Sequence, residues 1–130
     1  MEKPEALLTM DHVSVTITNE KTQVNPVRDV SFSIPRGKVV GMVGESGCGK
    51  SMTARSIMHL MPQGGAISQG HILFDGEEIS SWSGTQMQEL NGKRISMIFQ
   101  EPMSSLNPVM KVGRQVEEVL LLHTEKACRG

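Results

Sequence analysis

Aromatic side chains and thiols are scarce in this sequence. It has no tyrosine, three phenylalanines, one tryptophan and two cysteines among 130 residues. Cys48 and Cys128 do not form the closely spaced pairs that bind zinc. No apolar run is long enough to cross a membrane, and the first residues, Met-Glu-Lys-Pro-Glu, lack the apolar core of a signal peptide. We therefore expect a protein of the reducing cytosol.

The charge balance lacks a dominant sign. The sequence has 13 Lys and Arg residues and 14 Asp and Glu residues, which gives a net charge of −1. A near-neutral chain has no bulk field that would attract nucleic acid, so we expect no nucleic-acid partner. The four histidines are scattered without the spacing of metal ligands, and we interpret them as ordinary residues.

Residues 44–51 read Gly-Glu-Ser-Gly-Cys-Gly-Lys-Ser, which matches the phosphate-binding pattern G-x-x-x-x-G-K-[ST]. Glycines lack the Cβ atoms that would keep a polyphosphate away from backbone N–H groups. Lys50 is predicted to reach the β- and γ-phosphates, and the Ser51 hydroxyl to bind the accompanying Mg²⁺. The predicted nucleotide-binding residues of this loop are Gly44, Glu45, Ser46, Gly47, Cys48, Gly49, Lys50 and Ser51.

The residues around this loop support the motif. The apolar run Val39–Val43 predicts a buried parallel strand before it, and Met52–Met61 predicts a helix after it. The helix dipole would then point its positive end at the phosphates. The alternative, a glycine-rich turn that binds nothing, does not account for motif and context together.

The rest of the chain predicts a mixed α/β fold in which two antiparallel strands come before the parallel one. A hairpin is expected at Gly70–Ile79, with its turn at Asp75-Gly76. The remaining predictions are strands at Leu7–Ile17, Val27–Ile34 and Arg94–Phe99, a weak helix at Thr85–Leu90, an irregular loop at Glu101–Pro108, and a last helix with apolar spacing at Val112, Val116, Val119, Leu120 and His123.

The run Ile95–Val109 resembles the Q-loop of ATP-binding subunits of ABC transporters, in the form found in the oligopeptide, dipeptide and nickel importer branch. The phosphate loop, a Phe-Asp-Gly hairpin, this run and a Val-Gly-x-Gln helix start follow in the order of that branch. The resemblance implies an α/β P-loop NTPase core with an amino-terminal antiparallel β subdomain. Residues 1–130 would form part of one nucleotide-binding domain, truncated before the helical subdomain and the Walker B strand.

The resemblance also implies roles for individual residues. Gln100 would contact Mg²⁺ or its water and sense the γ-phosphate, so Ser51 and Gln100 are the predicted metal-binding residues. The loop Glu101–Pro108 would contact membrane-spanning permease subunits. ATP and Mg²⁺ are the implied cofactors, and a second ATP-binding subunit is the implied dimer partner. The parent protein would lie on the cytoplasmic face of the membrane and drive the import of peptides or nickel.

The sequence departs from the family pattern in two respects. The sequence contains no Leu-Ser-Gly-Gly-Gln signature, no Walker B strand ending in Asp-Glu and no switch histidine, so no catalytic residue is assigned. At the position where the family usually has an aromatic residue against adenine, this sequence has Ile17. Two alternatives stay open: a non-hydrolysing, nucleotide-binding remnant and a soluble ABC-type ATPase.

Overall fold

The computed structural model describes residues 4–45, 47, 49–100 and 107–123. The chain divides into two compact units, Met1–Gly84 and Thr85–Gly130. The elements are β1 (Ala6–Thr18), β2 (Gln23–Pro35), α1 (Lys50–Ile57), β3 (Gly65–Phe74), β4 (Glu77–Glu78), α2 (Gly84–Leu90) and α3 (Val112–His123). Among the described helices, none has the length and hydropathy needed to span a bilayer.

The first unit contains a four-stranded sheet with the order β2-β1-β3-β4, and every pair in it is antiparallel. The predicted amino-terminal strands and the hairpin are confirmed. Alternation explains the central strand, because Val13 and Val15 are fully buried while Ser14 between them lies on the other face. The buried apolar residues of this unit are Leu8, Met10, Val13, Val15, Val27, Met58, Ile72, Phe74 and Ile79.

Three adjacent strands each carry a left-handed residue at the same level of the sheet. The φ angles are 49° at His12 in β1, 48° at Asp29 in β2 and 85° at Gly70 in β3. The register of β1 shifts here against both neighbours. His12 Nδ1 lies 2.6 Å from Asp29 Oδ1, and a Cβ on Gly70 would lie 2.2 Å from the His12 carbonyl oxygen. Only glycine therefore fits at position 70.

The turn after β2 is tied to the β3–β4 hairpin. The Arg36 guanidinium forms an ion pair with Asp75, and its Nε donates to the Pro4 carbonyl at 2.7 Å. The Asp75 backbone N–H donates to the Leu7 carbonyl at 2.8 Å. These bonds fix the chain at the point where it leaves the sheet toward the predicted phosphate loop.

Helix α1 ends at Ile57, four residues before the predicted end at Met61. Leu60 N–H donates to the Arg55 carbonyl at 2.9 Å, and His59 N–H donates to the Ser56 carbonyl at 3.2 Å. This is the bond pattern of a Schellman cap, with His59 in the left-handed region at φ 56°. Because glycine usually occupies that position, a histidine there does not signal the end of a helix, and the earlier end could not be predicted.

The second unit contains α3 and all of α2 except its first residue. Both helices were predicted, at Thr85–Leu90 and from Val112 to His123. The predicted strand Arg94–Phe99 is wrong. Ile95 closes a turn by accepting a hydrogen bond from Gly92 N–H at 2.7 Å, and Ile98 is 94% exposed. An apolar run becomes a buried strand only by pairing with neighbours, and no strand in the described part of the chain pairs with residues 96–99.

Candidate functional site

The segment leading into the predicted phosphate loop has no regular secondary structure. The buried parallel strand predicted at Val39–Val43 is wrong, because Val39 is 100% exposed and Val43 is 95% exposed. As for residues 96–99, an apolar run becomes a buried strand only when neighbouring strands pair with it. The sheet described here contains β1 to β4 only, and nothing in it pairs with this segment.

The helix that follows the loop begins where the motif predicts. Gly49 is the N-cap of α1, with φ 95° in the left-handed region. Its carbonyl accepts hydrogen bonds from the Thr53 backbone N–H at 2.9 Å and from the Thr53 hydroxyl at 2.8 Å. Gly47 also has a positive φ, of 83°. Ser46 and Cys48 lie outside the described residues.

The position of the loop depends on a contact with β2. A Cβ on Gly49 would lie 2.5 Å from the Pro26 carbonyl oxygen, well inside van der Waals contact. Glycine is thus required at position 49 by both backbone angle and space. Pro26 and Thr53 were not predicted to support the loop. For Thr53 there was a signal, since a threonine four residues after a helix start can bond back to the first carbonyl.

Lys50 extends back over the loop rather than into solvent. Its ammonium donates to the carbonyl oxygens of Gly44 and Glu45, the latter at 3.1 Å. Ser51, the next residue, is exposed on the first turn of α1. The two ends of the motif are therefore close together, because the Lys50 ammonium contacts the backbone at Gly44 and Glu45. The Ser51 hydroxyl follows on the same helix turn.

A cavity of about 390 Å³ opens beside these two residues, between β2 and α1. Apart from Lys50, Ser51 and Thr53, its lining is apolar. The lining residues are Phe32, Ile34, Val40, Met42, Lys50, Ser51, Thr53, Ala54 and Ile57. The exposed segment 39–43 thus contributes the side chains of Val40 and Met42 to the lining of the cavity.

Gln100 lies in the second unit, at a bend, and is exposed. Its expected position beside the phosphate loop stays a prediction. Of the predicted permease-contacting loop, Glu101–Leu106 lies outside the described residues. Asn107 and Pro108 are described, and both are exposed.

Two histidines that sequence analysis treated as ordinary form pairs with carboxylates on the sheet. The hydrogen bond to Asp29, together with its charge, raises the pKa of His12. His71 Nδ1 lies 2.5 Å from Glu78 Oε1, a contact that raises the pKa of His71 and lowers the pKa of Glu78. Within the described residues, no three His, Cys, Asp or Glu side chains are placed to hold a metal ion.

The segment that matches the phosphate-binding sequence pattern thus has a left-handed glycine at the N-cap of α1 and a lysine that bends back over its backbone. The family model described as ABC transporter matches residues 27–129. This chain belongs to that family.

Two relatives agree with this membership. The chain is 43% identical to the oligopeptide transport ATP-binding protein OppD of Bacillus subtilis over 118 residues, 90% of this chain and 33% of that protein. It is 43% identical to the dipeptide transport ATP-binding protein DppD of the same organism over 129 residues, 96% of this chain and 38% of that protein. The chain thus spans about a third of the length of these relatives.

The fold is that of a dimeric, post-hydrolysis structure of the ATP-binding cassette MJ0796 bound to ADP and Pi. The TM-score is 0.73 at 20% sequence identity, over 91% of this chain and 48% of that chain. At this identity the likeness shows the fold alone.

Proposed function

We propose that residues 1–130 are part of the nucleotide-binding domain of an ABC importer of peptides, and that Gly44–Ser51 bind the phosphates of ATP. The observation that carries the proposal is the 43% identity to oligopeptide and dipeptide transport ATP-binding proteins across 90% and 96% of the chain. The geometry of the loop is consistent with it, because Lys50 is already held over the backbone that would bind an anion.

The residues present suit a nucleotide with its magnesium ion. Lys50 supplies a positive charge, the amino-terminal end of α1 supplies unpaired backbone N–H groups, and the exposed Ser51 hydroxyl supplies an oxygen of the kind that Mg²⁺ prefers. The Gln100 amide oxygen would be a second such oxygen. When bound, Mg²⁺ would neutralise part of the phosphate charge. The Lys50 ammonium, which donates to the Gly44 and Glu45 carbonyls in the structure, would then donate to phosphate oxygens instead.

The proposed partners are a second ATP-binding subunit and the membrane-spanning subunits of the importer, the latter through Glu101–Pro108. The proposed location is the cytoplasmic face of the membrane, as a peripheral subunit. Neither named relative points to nickel, so peptides are the proposed substrate class. The soluble ATPase and the non-hydrolysing remnant stay as alternatives.

Two measurements test the proposal. Calorimetry with Mg-ATP should show binding to the wild-type chain that is at least about tenfold weaker in Lys50→Ala, since hydrogen bonds to charged groups contribute about 1.5–3 kcal/mol each. Capture by the membrane subunits of a peptide importer, purified in nanodiscs, should occur with the wild-type chain. Binding of ATP without capture would favour the soluble ATPase, and the absence of ATP binding would contradict the assignment of the loop.

A further inference from the structure

The last two residues of the proposed permease-contacting loop and the two residues after it form a tight turn, Asn107–Met110. Met110 N–H donates to the Asn107 carbonyl at 3.3 Å, which closes the turn. The Asn107 side-chain oxygen accepts a hydrogen bond from Val109 N–H at 3.0 Å. Proline at the second position, Pro108, suits this turn because its φ is already fixed near the required value.

One side chain from helix α3 binds the backbone of this turn at three points. Gln115 Oε1 accepts a hydrogen bond from Asn107 N–H at 2.7 Å. Gln115 Nε2 donates to the Asn107 carbonyl and to the Met110 carbonyl, at 3.0 Å each. Both N–H donors and one acceptor site of the amide are thus used, and Asn107 is paired as it would be with a neighbouring strand.

The turn carries two apolar side chains toward solvent. Val109 is 88% exposed and Met110 is 37% exposed. Gln115, in contrast, is only partly accessible, whereas Val116 beside it on the helix is 59% exposed. The Gln115 amide therefore forms its hydrogen bonds with the backbone of the turn.

We infer that Gln115 is a positioning residue, which joins the end of the permease-contacting loop to α3 so that Val109 and Met110 meet the membrane subunits in a fixed orientation. The inference rests on the proposed function for the identity of the partner. The bonding pattern needs a glutamine in particular. A glutamate would keep the acceptor for Asn107 N–H but would place a negative charge against two carbonyl oxygens, and methionine would keep the length without any strong partner.

Amide hydrogen exchange on the ¹⁵N-labelled full chain tests the first half of the inference. In Gln115→Met, the Asn107 N–H should exchange roughly tenfold faster, since a hydrogen bond of ordinary strength is lost. The Thr53 and Asp75 amides in the first unit should not change. The matched control is Glu117→Met, on the same helix and exposed, which should leave the Asn107 amide as in the wild type. Unchanged exchange at Asn107 in Gln115→Met would overturn the inference.

The variant Gln115→Glu adds a readout that a general loss of stability would not produce. Its side chain gains an O–H donor when it becomes protonated, near pH 4.3 for an unperturbed glutamate. As pH falls from 7 to about 4, across the pKa of an unperturbed glutamate, protection of the Asn107 amide, corrected for its intrinsic exchange rate, should move toward the wild-type value in this variant only. The same pH dependence in wild type and variant would count against the role of the amide.

Binding to membrane subunits of a peptide importer in nanodiscs tests the second half. The wild-type chain and Glu117→Met should bind alike, and Gln115→Met about tenfold more weakly, in proportion to the ordering that is lost. If the wild type does not bind, the proposed function fails while the exchange result still stands. If Gln115→Met binds like wild type although its turn has lost protection, the positioning role is wrong.

Discussion

A methyl group on Gly49 would lie 2.5 Å from the carbonyl oxygen of Pro26. This contact fixes the start of α1 against β2, and the φ of 95° at Gly49 adds a second requirement for glycine. The proposed phosphate loop is thus positioned against the sheet through Pro26, a residue outside the motif at residues 44–51.

We expect Gly49→Ala to destabilise the first unit by about 2 kcal/mol, because a left-handed residue with a side chain costs about 1–2 kcal/mol before any clash is counted. Thermal unfolding followed by circular dichroism measures the change. Gly41→Ala is the matched control, since a Cβ at Gly41 meets nothing within 4 Å and its φ is not in the left-handed range. Equal melting temperatures for the two variants would show that the Pro26 contact has no energetic weight.

Lys50→Ala should weaken Mg-ATP binding at least about tenfold, since hydrogen bonds to charged groups contribute about 1.5–3 kcal/mol each. Lys50 donates to the loop carbonyls and supplies the cation of the motif. Lys38→Ala removes a lysine that is exposed, outside the motif, and should bind ATP as the wild type does. An affinity unchanged by Lys50→Ala in calorimetry would mean that the loop is not a phosphate site.

Ile17→Tyr should tighten the binding of ATP but not of inorganic triphosphate, if position 17 faces adenine. Stacking of a base on an aromatic side chain contributes roughly 1–3 kcal/mol in nucleic-acid proteins. Ile17 pairs with Val24 across β1 and β2, and Val24 is 52% exposed, so Val24→Tyr tests the neighbouring position. A gain in both variants, or for both ligands, would show that the effect is not specific to the base.

The ion pair between His71 and Glu78 should make part of the stability depend on pH. The raised pKa of His71 means that its contribution is complete below the unfolded value near 6.5 and is lost as pH rises through the higher folded value. The lowered pKa of Glu78 sets the opposite limit, because the pair weakens again as pH falls below about 4.5. The difference in melting temperature between wild type and His71→Gln should therefore be larger at pH 6 than at pH 8.5. A difference that stays constant over this range would contradict the pairing.

We expect the isolated 130-residue chain to show no ATP hydrolysis above background and to self-associate. Phosphoryl transfer needs a positioned metal, water and charge stabilisation, and these residues include no apolar run followed by the Asp-Glu pair that would supply a metal ligand and a base. Val39, Val43 and Ile98 are almost fully exposed apolar side chains, which favours association. Steady phosphate release that disappears in Lys50→Ala would prove the first expectation wrong, and a monodisperse monomer in light scattering the second.

The antiparallel half of the fold could be predicted because its signals are local. Alternating burial around Val13 and Val15 and the Asp75-Gly76 turn each specify their own structure from neighbouring residues. The glycine N-cap at Gly49 was equally readable from the motif. Val39–Val43 and Arg94–Phe99 were predicted from apolarity alone, and a strand of that kind is formed only by partners at a distance in the sequence.

Some features of the candidate site could not be predicted from the sequence, because they depend on contacts between residues that are distant along the chain. The separation of Pro26 and Gly49 in the sequence does not indicate that they are in contact. The Schellman cap at His59 places a histidine in the left-handed conformation, which residues other than glycine usually avoid. The Gln115 contacts with Asn107 cross eight positions of irregular chain and helix, a distance that no periodic pattern reports.

The left-handed residues at His12, Asp29 and Gly70 give the sheet a crease that runs across three strands. Each member excludes a different substitution: Gly70 has no room for a side chain, and His12 and Asp29 are locked to each other as well as to a backbone shape that β-branched residues avoid. The crease also separates the end of the sheet held by Arg36 and Asp75 from the end that carries Ile17. Pro26, which lies against Gly49, is on the Ile17 side of this crease, so the crease and the proposed nucleotide site are connected through β2.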